Sequence, residues 1–210
     1  MRTLLTSLPG LPAGFEMAHV PISRIGLEKR LTMVDDRQRL ILATFLRFWA
    51  DGGERPQEQF MQLYRQLFTL LPAPALAIFL SLCDIRMLAA AVRSRAQGRN
   101  PPPAIGNFGG DIIRLWKSGD FGMGRRFPWL FEFRSLVEGN RVLQAERKIN
   151  GLLWETARRL GEMHLFDLEA ALCYLVRWQI IRRWTARDAN AGRKTFLESM
   201  AAARQQYGAI

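Results

Sequence analysis

Histidine and cysteine are nearly missing from this chain, with two of each among 210 residues. His19 and His164 lie far apart, and neither has a cysteine or a second histidine near it, so the ligand spacing of a structural zinc site is absent. No nucleophile sits in the kind of turn that hydrolytic triads use. Gly192-Arg193-Lys194-Thr195 ends like a phosphate-binding loop but lacks the earlier glycine at the required spacing and has no strand before it. Gly119-Asp120-Phe121-Gly122-Met123-Gly124 has its glycines in the wrong order for a dinucleotide fingerprint and reads as a turn. The expectation is a chain that is no enzyme, with no catalytic residue, no cofactor and no metal.

Lysine is scarce too. Only Lys29, Lys117, Lys148 and Lys194 stand among 30 basic residues, and the rest are arginine, which pairs directionally with carboxylates and phosphates alike. The net charge of +11 favours anionic partners such as nucleic acid, lipid headgroups or acidic protein surfaces. It is spread evenly: residues 1–105 carry 13 basic and 8 acidic side chains, residues 106–210 carry 17 and 11, so no basic tail concentrates it.

An apolar fraction of 49% suffices for a folded core. Cys83 and Cys173 each fall within an apolar helical run, which predicts buried, reduced thiols suited to a reducing cytosol. Gln66 to Cys83 carries no charge over 18 residues, but Pro72 and Pro74 interrupt it, so it reads as a buried helical hairpin and no transmembrane segment is expected. The N-terminal apolar run is short and broken by Pro9 and Pro12, unlike a signal peptide.

The pattern predicts an all-α, multi-helix, bundle-like fold, preceded over Met1 to Leu8 by a short strand or extended arm. Asp35 or Asp36 caps a helix with Leu40, Ile41, Phe45 and Phe48 at helical spacing, ended by Gly52 and Gly53. Pro56 opens the next, with Phe60, Leu63, Tyr64, Leu67 and Phe68 on one side, and a third runs from about Pro74 to Gln97. Residues 1–99 form an N-terminal helical half, 100–126 a Pro/Gly-rich connection, and 127–210 a C-terminal helical half, as two units or one domain. In the second half, helices are expected over Trp129 to Val137, Arg141 to Gly161, Asp167 to Ala186 and Asn190 to Tyr207.

Two stretches put arginines on otherwise apolar helices: CDIRMLAAAVRSRAQG from Cys83, and FDLEAALCYLVRWQIIRRWTARDANAG from Phe166. A buried guanidinium is costly unless it meets an acid, a carbonyl end or another protein. Arg86 and Arg93 are two turns apart and share a face; Arg95 and Arg99 follow them. In the second stretch Asp167 is the expected N-cap, and Arg177, Arg182, Arg183 and Arg187 spread around the helix. Intramolecular pairing with Glu146, Glu155 or Glu169 is one outcome, and docking of Arg86, Arg93, Arg182, Arg183 and Arg187 on an acidic partner is the other.

The second stretch resembles the C-terminal signature of a bacterial family, formally of unknown function, whose members tend to be encoded among V-type ATPase subunits. The resemblance is carried by Phe166, Glu169, Leu175, Arg177, Ile181, Arg183, Trp184, Asp188 and Gly192. Upstream it takes in Asp120-Phe121-Gly122, then Glu146, Lys148, Ile149, Leu152 and Trp154, and Ser7-Leu8-Pro9 at the N-terminus. Asn150, Gln179 and Arg182 depart from it, standing where the family tends to have acids. CDIRMLAAAVRSRAQG in turn looks like the helices of the ATPase central-stalk subunit called C or d. Together these imply a non-catalytic adaptor or assembly partner, cytoplasmic and peripheral to the inner membrane, that meets stalk and membrane-ring subunits. They also imply structural roles for Glu146, Asp167, Glu169, Arg177, Trp184 and Gly192. A basic helical nucleic-acid-binding or regulatory protein is the alternative that net charge alone supports.

Overall fold

The structure, a computed structural model, describes residues 1–17, 19–50 and 56–207, with side chains as far as Arg187. Its helices are α1 (Arg2–Ser7), α2 (Arg24–Leu31), α3 (Asp36–Trp49), α4 (Gln57–Leu70), α5 (Ala73–Ala96), α6 (Gly109–Arg114), α7 (Trp129–Glu138), α8 (Val142–Gly161) and α9 (Leu168–Tyr207), with no strand among the described residues. Local chemistry explains most boundaries. Asp35 caps α3, accepting from the Gln38 backbone N–H at 2.8 Å, and Ser23 caps α2 from Gly26. Pro56 and Pro72 precede α4 and α5, where a missing N–H costs nothing. Gly98, at φ +64°, closes α5 in a Schellman turn in which the Arg99 N–H reaches the Ser94 carbonyl at 2.8 Å. The stop expected from Gly52 and Gly53 lies outside the described residues.

The first eight residues are a correction: they form a helix, not a strand or extended arm. Leu4, Leu5 and Leu8 recur at helical spacing, and Leu4 is fully buried against the body. A non-helical arm starts one step later, at Pro9, and its carbonyls at Pro9, Pro12, Ala13 and Ile22 take donors from α8 and α9. A second correction concerns α9, a single helix of 40 residues and about 60 Å where two were expected. Alanines at 186, 189 and 191 carry helix propensity through the expected break, and one interior glycine costs only about 1 kcal/mol.

Helix α5 is the centre of the packing. Its buried residues fall on every side, from Ala75 and Phe79 to Leu88 and Val92, as a helix with neighbours all round requires. Helices α6, α7, α8 and α9 pack on it, and α9 also meets α3 and α8. Among the described residues α5 is the one helix long and apolar enough to cross a membrane, and 67% of its most apolar window is buried against the rest of the chain. Early and late helices share a core: Phe45, Phe48 and Leu82 belong to the same buried cluster as Phe133, Leu153 and Val176. Edge-to-face and stacked rings, Phe48 on Phe60, Phe79 and Trp49, fill the space between α3, α4 and α5.

Candidate functional site

Helices α5, α8 and α9 meet at Glu146. Its Oε1 accepts from Arg93 Nη2 at 2.5 Å, and its Oε2 lies 3.5 Å from Arg187 Nη2. Each guanidinium also rests on a ring, Arg93 on Phe133 and Arg187 on Trp184, at 5.5 and 5.4 Å from the centroid. Two cations therefore share one carboxylate, and all three side chains remain between a quarter and a half exposed.

The other arginines singled out in the sequence are placed apart from this junction. Arg86 lies on the same stripe of α5 as Arg93 but meets different neighbours, over the rings of Trp49 (4.7 Å), Phe48 and Phe60. Arg182 lies over Trp178 at 5.6 Å, and Arg183 is partly buried one residue on. Arg177 donates to the Pro12 carbonyl at 3.1 Å and covers Trp154 at 4.4 Å, and burial lowers its pKa. Trp184 is buried edge-on against Phe15. Gly192 lies beyond the residues whose side chains are described.

The arm at residues 9–22 is held by donors from the late helices. Tyr174 Oη donates to the Pro9 carbonyl at 3.1 Å, Trp154 Nε1 to Ala13 at 3.1 Å and Trp178 Nε1 to Ile22 at 2.9 Å. These bonds satisfy polar groups that burial would otherwise leave exposed to an apolar core.

Asp167 is the N-cap of α9 as expected: Oδ1 accepts from Ala170 N–H at 2.9 Å and Oδ2 contacts His164 Nδ1 at 2.7 Å. Burial works to raise its pKa, but these two bonds outweigh it and hold the carboxyl below its usual range. Glu169 is buried beside it, and the potential ligand atoms of His164, Asp167 and Glu169 lie within 4.8 Å of one another. The three fall within six positions of the sequence, but the group is completed by carboxylates and not by a second histidine or a cysteine. Both Asp167 oxygens are already engaged, and the positive end of a helix disfavours a cation, so capping explains the cluster.

Sequence reading also missed two loop anchors. Asp84, 4% exposed in the middle of α5, accepts from Asn107 N, Asn107 Nδ2 and Phe108 N. Burial raises its pKa, and those bonds oppose the rise. Arg95 donates to the carbonyls of Trp116, Ser118 and Gly119 and lies 3.7 Å from the Phe121 ring. Asp120 accepts from Gly122, Ser118 and Gly124, bonds that lower its pKa. The signal for both was a charge on an apolar helix followed by a glycine-rich loop. Cys83 and Cys173 are free and buried, and burial pushes the Cys173 thiol up to about 12.

What emerges is an all-helical domain in which arginines on apolar helices are tied to carbonyls, rings and one shared glutamate. The chain belongs to the family described as a protein of unknown function (DUF2764), whose profile matches residues 76–205, from α5 to α9. No curated protein and no solved structure matches it.

Proposed function

We propose that this protein is a non-catalytic subunit or assembly partner of a V-type ATPase, a central-stalk adaptor on the cytoplasmic side that meets stalk and membrane-ring subunits. The resemblance in FDLEAALCYLVRWQIIRRWTARDANAG and CDIRMLAAAVRSRAQG supplies the class of partner. The observation that supports docking is the sharing of Glu146 by Arg93 and Arg187, which leaves a surplus positive charge where α5, α8 and α9 meet. An acidic side chain on a partner would complete that pairing.

Co-purification with V-type ATPase subunits tests the reading. Arg187 sits at the long end of its ion pair and is 42% exposed, so Arg187→Glu costs the free fold about 1 kcal/mol or less. The expected result is normal melting with reduced co-purification. Wild-type protein that fails to co-purify overturns the adaptor reading. Binding of an unrelated DNA duplex at physiological salt as tight as subunit binding would move the assignment to a nucleic-acid-binding protein.

A further inference from the structure

A cleft of about 870 Å³ opens between α2, α3 and α4, with Trp178 and Gln179 of α9 at its floor. Its volume is within the usual range for ligand sites, about 300–1,000 Å³. Along α3 its lining runs from Arg39 to Ala50, about 16 Å at the helical rise. About five extended residues cover its length.

The lining chemistry selects among occupants. Among the described residues, Arg24, Arg39, Arg47 and Arg182 line the cleft with one acid, Glu28. Glu28 is taken by Arg24 at 2.8 Å and Arg39 holds Asp36, while Arg47 has no ion pair among the described residues. Gln59, Gln62 and Gln66 form one row along α4, and each amide offers a donor together with an acceptor, as a peptide backbone does. Gln179 is 2% exposed, and its Nε2 has no hydrogen-bond partner, a buried donor that a carbonyl would satisfy. An alkyl chain would leave these amides unmatched. Leu27, Leu46 and Leu63 add apolar wall for interleaved side chains.

We propose that this cleft is the docking site for an acidic segment of a partner protein, bound in extended form over about five residues. It rests on the adaptor reading for the partner's existence and on the cleft for the partner's shape and charge. Most of the lining precedes residue 76, outside the stretch that defines the family.

The test uses the full chain and a fluorescein-labelled peptide of alternating glutamate and leucine, with fluorescence polarisation as readout. Saturable binding is expected, lost when lysine replaces the glutamates. Arg47→Glu should weaken it about tenfold by placing like charges together. Gln179→Leu removes the amide at similar volume, so it should melt at or above the wild-type temperature and bind several-fold more weakly. No saturable binding, or equal binding by Arg47→Glu, overturns the proposal, and tighter binding of a stapled helical version overturns the extended form. Peptide binding without ATPase co-purification keeps the cleft and removes the adaptor. Co-purification with no peptide binding does the reverse.

Discussion

Asp84 and Asn107 meet twice: the carboxylate takes the Asn107 backbone N–H at 2.6 Å on one oxygen and its side-chain amide at 2.8 Å on the other. The neighbouring Gly106 packs so close, at φ +79°, that an added Cβ would sit on Asp84 Oδ1 and 2.9 Å from its backbone nitrogen.

Asp84→Ala is expected to cost about 3 kcal/mol, because it strands buried donors of the 106–108 turn. Gly106→Ala should cost about 2–4 kcal/mol through strain and collision. The two losses should fall short of additive in the double variant, since removing the carboxylate clears room for the methyl. Urea denaturation of the four proteins measures the coupling.

Asp84→Asn separates charge from hydrogen bonding. Its pKa is raised in the folded state, so its contribution to stability is full below the unfolded value, about 3.9, and is lost as pH rises through the folded value. Asn keeps an acceptor for the turn and lets Asn107 rotate its amide. The variant should lose about 1 kcal/mol or less at pH 7 and show a flatter pH dependence of melting between pH 3 and neutrality.

Asp167 runs the other way. Its folded pKa is lowered, so its stabilisation is present above the unfolded value and lost as pH falls through the folded one. Asp167→Ala should cost about 1 kcal/mol at pH 7, and Asp167→Asn less, because asparagine caps as well. Melting from pH 2 to 6 should lose part of its acid limb in both.

Glu146→Gln leaves Arg93 facing Arg187 without a shared anion. Free-protein stability should drop by about 1 kcal/mol at low salt and recover as salt screens the repulsion. Because the internal competitor is gone, retention of ATPase subunits should rise. Retention that stays at the wild-type level would remove this junction from the docking surface.

Helix starts were legible at Asp35, Pro56 and Asp167, which act within a turn, whereas Ser23 caps α2 just as locally and was missed. The partners of the charged residues were not, since they are chosen by tertiary approach. Composition says that Arg95 and Arg177 need satisfaction, yet backbone carbonyls at Ser118 and Pro12 leave no mark on the sequence. Of the acids considered, Glu146 does bridge two helices, while Glu155 pairs with Arg158 one turn along α8. The helix at residues 2–7 was hidden by its length, because six residues lack intrinsic stability without the core they join.

The arm at residues 9–22 finds its hydrogen-bond donors 141 to 165 positions further along the chain. During synthesis it leaves the ribosome long before Trp154, Tyr174 and Trp178 exist to receive it. The N-terminus is thus made first and secured last, and until α9 emerges Phe15 and Ile22 depend on other protection from aggregation. A ribosome that stalls before residue 154 would hold a chain whose arm has none of these four donors.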